Sequence, residues 1–220
     1  MFPAEIETLP MVAQQAGFRV VGLLATHADW DHLLARTAFP EAPLGCAASS
    51  AERLRNEPGA AQRALRDFDE EHYVERPPLA LPAPQALPVP GRCGVGDAEL
   101  ELHRAEGHTG DGMAVLVPWA HVLCPGDYLS PVEIPMLSPG GSRDLYLETL
   151  DRLEELIGRA DQVVPGHGEV LDAERALAIL REDRAYLEAL PDASSKLPLA
   201  RRTAAQKKIH AANVAAVAAR

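Results

Sequence analysis

Residues 26–32 read Thr26-His27-Ala28-Asp29-Trp30-Asp31-His32 and place two imidazoles and two carboxylates within a single short segment. The segment follows Phe18–Ala25, a nearly continuous apolar run that predicts a buried strand. Polar side chains at the end of a buried strand cost free energy unless partners satisfy them there. Imidazole and carboxylate together suit zinc, iron or manganese. Alone, the segment is consistent either with a metal-binding turn or with a surface cluster of charges.

Three later positions share one local pattern, in which a strand-like apolar stretch and a glycine precede a potential ligand. They are His108 after Gly107, Asp127 after Gly126, and His167 after Gly166. Glycine allows the tight turns that aim a side chain into a shared pocket. A single histidine at a strand end is more often structural than a ligand. The three sites together with residues 26–32 therefore favour one shared metal site.

The remaining pattern alternates predicted helices and strands, as is typical of an α/β fold. Residues 51–73 predict a helix interrupted at Pro58-Gly59, and six prolines between Val74 and Pro90 predict an extended surface connection. A linker between two domains is the alternative there. We favour a single domain because candidate ligands lie on both sides of the connection.

The second half of the chain predicts short strands joined by two well-marked helices. The strands are expected at 98–105, 113–118, 119–124 and 162–164. Ser142 is expected to cap a helix that ends at Gly158, and another helix is expected from near Asp172. A basic segment, 201–208, precedes a final Ala-rich helix, and a solvated helix face is favoured there over an interaction arm.

Composition excludes some classes of function. The chain has 21 lysine and arginine residues against 32 aspartate and glutamate residues, which gives a net charge of −11. Because such a surface repels phosphate backbones, a nucleic-acid partner is not expected. No apolar run has the length of a membrane span, and the first residues do not resemble a signal peptide. The three cysteines lack the CxxC spacing of a zinc knuckle. A cytoplasmic protein with a small-molecule substrate is expected, and a dimer is an open possibility.

The motifs, in this order, resemble those of the metallo-β-lactamase fold superfamily. Its pattern is His-x-His-x-Asp-His, followed by a Gly-His-Thr histidine, a Gly-Asp aspartate and a late Gly-His histidine. The matching residues are His27, Asp31, His32, His108, Asp127 and His167. The resemblance extends from about Phe18 to Leu190 and implies an αββα four-layer sandwich over 1–190. Residues 191–220 are expected to form a helical extension packed on or beside the same domain.

The resemblance also implies a metal centre with one or two divalent ions and a hydrolytic reaction. One ion would be held by His27, Asp29 and His108, the other by Asp31, His32 and His167, and Asp127 would bridge them. Water activated by the metal would attack a carbonyl centre (thioester, lactone or ester) or a phosphoryl centre. Asp31 would either orient that water as a catalytic residue or serve as a ligand only.

Two departures from the family pattern leave alternatives open. Asp29 stands where the family has its second histidine, and a carboxylate shifts preference from zinc toward iron or manganese. Zinc stays the first expectation, with an iron-dependent redox protein as an alternative. The segment before His27 is also shorter than in most family members, so the usual N-terminal strands are expected to be missing. A truncated, non-catalytic metal-binding protein is therefore a third possibility.

Four other residues have two possible roles each. Thr26 and Thr109 would either orient ligands through hydrogen bonds or belong to turns. Asp111 would either form a turn or be a ligand, and a turn is favoured. Tyr128 would either reach the substrate or pack in the core, and packing is favoured.

Overall fold

The computed structural model describes residues 2–190, 197–198 and 201–218. The chain is built from two compact units, Met1–Pro88 and Val89–Arg220. The prediction of one domain over 1–190 concerns how these units associate and stays a prediction.

The first unit contains a small parallel sheet surrounded by helices. Its strands are β1 (Leu23–Ala25), β2 (Leu44–Ala47) and β3 (Gln85–Leu87), paired in the order β1-β2-β3. Its helices are α1 (Pro3–Gln15), α2 (Ala35–Ala38), α3 (Ala48–Asn56) and α4 (Ala60–His72). The core packs Ile6 of α1 and Leu65 of α4 with Leu33, Leu34 and Leu44. A 3-10 turn at Trp30–His32 lies between β1 and α2.

The buried strand predicted over Phe18–Ala25 is mostly wrong. Only Leu23–Ala25 form a strand, and Phe18 and Val21 are 73% and 54% exposed. The three residues Leu23–Ala25 pair with Leu44–Cys46 of the parallel strand β2. Apolar character alone does not make a strand, because the backbone also needs a partner for its hydrogen bonds.

Two other secondary-structure predictions for this unit are confirmed. The helical stretch 51–73 is divided into α3 and α4, with the interruption around Gly59, which adopts a left-handed conformation. The proline-rich stretch contains no helix, and β3 occupies three of its residues.

The second unit contains a mixed sheet in the order β4-β5-β6-β7-β8-β9. Its strands are β4 (Gly91–Val95), β5 (Ala98–Arg104), β6 (Met113–Val117), β7 (Val122–Gly126), β8 (Gln162–Pro165) and β9 (Leu171–Asp172). Strands β4 to β7 are antiparallel neighbours, whereas β7 and β8 are parallel. The carboxyl ends of β7 and β8 therefore lie at the same edge of the sheet.

The described residues of the second unit include three helices. They are α5 (Arg143–Ile157), α6 (Ala173–Ala189) and α7 (Ala204–Ala218). Ser142 caps α5 through its side chain, as predicted, and the Asp172 side chain caps α6 in the same way. The predicted strand at 119–124 is partly wrong, because a 3-10 turn occupies Pro118–Ala120 and β7 begins at Val122.

The basic segment is not simply a solvated helix face. Arg201 is 1% exposed, and its guanidinium contacts the Asp183 carboxylate and the Glu133 carbonyl oxygen. Within the described residues, no helix is long and apolar enough to cross a membrane.

Candidate metal-binding site

The first-unit cluster consists of His27, Asp29, Asp31 and His32, in the turn between β1 and α2. The His27 and His32 ring centroids lie 4.0 Å apart. His27 Nε2 is 3.6 Å from Asp29 Oδ2, and His32 Nε2 is 3.6 Å from Asp31 Oδ2. Each imidazole therefore has its Nε2 atom next to a carboxylate, within a continuous segment of the chain.

Thr26 contacts both imidazoles of this cluster from their other side. Its Oγ1 atom is 3.2 Å from Nδ1 of His27 and 3.2 Å from Nδ1 of His32. A hydroxyl oxygen has two lone pairs and can accept from both Nδ1–H groups. In that arrangement both Nε2 atoms keep the lone pair that a metal ion requires. These distances are compatible with the ligand-orienting role predicted for Thr26.

Arg53 of α3 forms an ion pair with Asp29. Its Nη2 atom is 2.8 Å from Asp29 Oδ1, the carboxylate oxygen other than the one near His27. The guanidinium therefore offsets the extra negative charge that Asp29 brings in place of a histidine. The sequence offers no local signal for this pairing, because Arg53 lies on a different element.

The second-unit cluster consists of His108, Asp127 and His167, which come from three separate segments. Asp127 Oδ2 is 3.3 Å from His108 Nε2, and Asp127 Oδ1 is 3.4 Å from His167 Nε2. The carboxylate thus lies between two imidazoles and offers one oxygen to each. The three glycine-preceded positions predicted from the sequence are brought together.

Strand pairing explains why Asp127 and His167 are neighbours. They follow the carboxyl ends of the parallel strands β7 and β8, where the Gly166 N–H donates to the Gly126 carbonyl oxygen at 2.9 Å. The register of this pair is irregular between Leu123 and Gly126, and such irregularities re-aim side chains.

The tautomer of His108 is fixed by the protein backbone. Its Nδ1 atom lies 2.9 Å from the Met136 carbonyl oxygen, which can only accept, so Nδ1 carries the proton. A neutral ring then presents the Nε2 lone pair to Asp127 Oδ2, which is also an acceptor. A shared cation or a second proton on the ring satisfies this buried arrangement. The imidazole and carboxylate donors therefore fit a divalent metal ion.

Two buried tyrosines support the same loops. The Tyr128 hydroxyl accepts from the His108 N–H at 3.0 Å and donates to the Ala105 carbonyl oxygen at 3.2 Å. The Tyr146 hydroxyl donates to the Asp127 carbonyl oxygen at 3.3 Å. Burial raises the pKa of both hydroxyls well above the usual value, so both stay protonated donors. Tyr128 is a buried packing residue, as favoured from the sequence, and Tyr146 was not predicted.

The backbone around this cluster has little freedom. Gly107 has φ +127°, and a Cβ atom there would lie 2.3 Å from the Tyr146 backbone nitrogen. Leu129 is fully buried with φ +64°, a conformation that costs a leucine free energy and that tight surroundings must maintain. Thr109 donates to the Asp111 carbonyl oxygen at 2.7 Å and has the turn role.

The chain is similar to a known protein family. The family model described as the metallo-beta-lactamase superfamily matches residues 2–167. The chain belongs to this superfamily. The predicted α/β fold of metallo-β-lactamase type is thereby confirmed. No curated protein sequence matches the chain.

Several solved structures share the fold of this chain at low sequence identity. A metallo-beta-lactamase from Pontibacter korlensis is 19% identical, with a TM-score of 0.54, over 82% of this chain and 78% of that one. A protein solved in a di-iron-bound form is 22% identical, with a TM-score of 0.61, over 78% and 81%. The inverting sec-alkylsulfatase Pisa1 from Pseudomonas sp. is 17% identical, with a TM-score of 0.65, over 86% of this chain but 39% of that one. At these identities, the likeness establishes the fold alone.

Proposed function

We propose that this chain is a metal-dependent hydrolase that attacks a carbonyl or phosphoryl centre of a small molecule. The observation that carries the proposal is the Asp127 carboxylate, which lies between His108 Nε2 and His167 Nε2 in a chain of the metallo-β-lactamase superfamily. The Met136 carbonyl keeps His108 in the tautomer that ligates through Nε2.

The first-unit and second-unit clusters are proposed to serve one centre, as the family pattern implies. In this assignment His27, Asp29 and His108 would hold one ion, Asp31, His32 and His167 would hold a second, and Asp127 would be a ligand of both. Bound divalent metal would lower the pKa of a water molecule and polarise the substrate oxygen. The chain itself orients the donors: Thr26 and the Met136 carbonyl hold the Nδ1 protons. Asp31 is proposed to accept a hydrogen bond from the attacking water.

Zinc is the proposed metal, and Arg53 supports this choice. Asp29 alone would add negative charge and favour a harder metal ion, but Arg53 pairs with its Oδ1 atom and offsets that charge. A small-molecule substrate, the absence of a nucleic-acid partner and a cytoplasmic location belong to the same proposal. The three free cysteines are consistent with a reducing compartment. A dimer is compatible with the proposal.

The test is elemental analysis combined with a hydrolase panel of thioester, lactone and phosphodiester probes. Wild-type protein should hold about one to two equivalents of metal and hydrolyse at least one probe. His27→Ala and His108→Ala should each abolish turnover and remove metal, because the clusters serve one centre. His72→Ala and His103→Ala are matched controls outside the clusters and should change neither. Turnover by metal-free protein would contradict the proposal.

An iron-dependent redox protein is the second candidate, favoured by the Asp29 carboxylate. A structural neighbour solved in a di-iron-bound form shows that this fold can hold iron. This candidate expects iron in preference to zinc after growth with both metals, and a reversed preference in Asp29→His. Equal zinc binding by the two forms would exclude it. A folded protein with neither metal nor turnover would instead indicate a non-catalytic member.

A further inference from the structure

The loop that provides the Met136 carbonyl is held by side chains from the C-terminal part of the chain. Gln206 Oε1 accepts from the Ile134 N–H at 2.7 Å, and Arg201 Nη1 donates to the Glu133 carbonyl oxygen at 2.7 Å. Asn213 adds two further bonds to this loop. These residues lie beyond residue 167, where the family match ends.

Asn213 binds the loop on both sides of Met136. Its Oδ1 atom accepts from the Leu137 N–H at 2.9 Å, and its Nδ2 atom donates to the Pro135 carbonyl oxygen at 2.6 Å. Nδ2 also donates to the Tyr186 hydroxyl at 3.0 Å. Because an amide nitrogen only donates and a carbonyl oxygen only accepts, these three partners determine the orientation of the Asn213 side chain. Asn213 is fully buried.

The peptide group between Met136 and Leu137 is thereby held from both ends. Its N–H donates to Asn213, and its carbonyl oxygen accepts from His108 Nδ1. A rotation of this peptide plane would break both bonds at once. Without the Asn213 bond, this peptide group would lose the hydrogen bond at its N–H end.

We propose that Asn213 is a positioning residue for His108, acting through the 136–137 peptide. Its hydrogen bond keeps the Met136 carbonyl directed at Nδ1, and the carbonyl keeps the Nε2 lone pair available for metal. Arg201 and Gln206 hold the preceding residues of the loop through hydrogen bonds to the backbone of Glu133 and Ile134. This inference rests on the proposed metal centre, but its effect on the tautomer exists in metal-free protein.

The test measures the His108 tautomer by ¹⁵N NMR of metal-free protein, with signals assigned by comparison with His108→Gln. Zinc affinity is measured separately by competition with a chromophoric chelator. Wild type should show the Nδ1–H form. Asn213→Leu should show a mixture of tautomers and about tenfold weaker zinc binding, the usual size for loss of a ligand-orienting partner.

Two matched variants distinguish positioning from general destabilisation. Asn213→Asp keeps the acceptor for the Leu137 N–H and should stay close to the wild-type tautomer. Val214→Ala removes a packed side chain from the same helix without removing a loop hydrogen bond, and should also keep that tautomer. If Asn213→Leu fails to fold, Gln206→Met, which removes only the Ile134 bond, should shift the tautomer in the same direction.

Other results would overturn the inference. One such result is a folded Asn213→Leu protein that keeps the wild-type tautomer and whose zinc affinity stays within about twofold of wild type. That change would fall well short of the tenfold loss expected for a ligand-orienting partner. A shift in Val214→Ala as large as that in Asn213→Leu is another. Failure of wild type to bind zinc would contradict the proposed zinc centre, whereas the tautomer measurement would still decide the role of Asn213.

Discussion

The first-unit cluster comes from one continuous turn, whereas the second-unit cluster is assembled from three segments. In the first, side chains orient the donors: Thr26 contacts both imidazoles and Arg53 pairs with Asp29. In the second, backbone groups do this work, notably the Met136 carbonyl and the closely packed Gly107. Substitutions of the side chains that orient the first cluster should therefore act mainly on metal affinity, whereas substitutions that crowd the packed backbone of the second cluster should also reduce folding stability.

The largest expected effect is that of Gly107→Ala in the second unit. The added Cβ would lie 2.3 Å from the Tyr146 backbone nitrogen, at a φ of +127°. We expect a loss on the order of 4 kcal/mol in unfolding free energy, measured by denaturant titration. Gly17→Ala is the control, because its φ is +76° but no described atom lies within 4 Å of a Cβ there. It should cost about 1 kcal/mol. Equal losses would show that backbone crowding is not the cause.

A buried ion pair in the second unit should make its stability depend on pH. Burial raises the pKa of Asp183 to about 7, although Arg201 opposes the shift. The unfolded value is about 4, so the folded state binds the proton more tightly. Stability from this group is therefore complete below about pH 4 and is lost as pH rises through about 7.

The variant Asp183→Asn tests this directly. Between about pH 4 and pH 7, the unfolding free energy of wild type should fall by on the order of 3 kcal/mol relative to that of Asp183→Asn. Denaturant unfolding curves at each pH measure this difference. The exposed pair Arg92–Glu99 provides the comparison, and Glu99→Gln should leave the curve unchanged. A parallel pH dependence in wild type and Asp183→Asn would argue against a raised pKa.

Removal of the Thr26 hydroxyl should weaken metal binding with little effect on folding. Thr26→Val keeps the side-chain volume but removes the acceptor for both Nδ1–H groups. Zinc affinity should fall about tenfold, measured by chelator competition. Thr26→Ser keeps the hydroxyl and should bind zinc nearly as wild type does. If Thr26→Val binds zinc as tightly as Thr26→Ser, the hydroxyl does not orient the histidines.

The smallest expected effect is the coupling between Asp29 and Arg53. Asp29→His alone restores the residue of the family pattern but removes the Asp29 carboxylate that offsets the Arg53 charge beside the proposed metal site. It should bind zinc more weakly than the double variant Asp29→His/Arg53→Met. Because the pair is partly exposed, a coupling of about 1 kcal/mol is expected from a double-mutant cycle. Additive effects on zinc affinity would indicate that the two residues act independently.

The donor residues were predictable because each is marked locally. A glycine and a strand-like stretch precede His108, Asp127 and His167, and these three residues do come together. The strand over Phe18–Ala25 was not predictable in this way, since its extent depends on pairing with β2. Local pattern carries no information about which backbone groups will find a distant partner.

The groups that orient the donor residues could not be predicted from the sequence either. Asn213 and Leu137 are 76 residues apart, and Arg201 and Glu133 are 68 apart. Nothing in an Ala-rich helix identifies the backbone group that its one asparagine will bind. Arg53 lies on a different element from Asp29, so the sequence did not reveal that its charge would compensate that of Asp29.

The loop 130–137 makes its hydrogen bonds to distant residues through its main chain, which has a consequence for the evolution of new specificity. Its carbonyl and N–H groups accept from or donate to Arg201, Gln206, Asn213 and His108, while Val132 and Met136 are 51% and 40% exposed. Selection, or a mutagenesis library, can therefore vary these two side chains while the anchoring bonds persist. The loop combines a fixed path with a replaceable surface, and it is the first place in the second unit to randomise when a different substrate is sought.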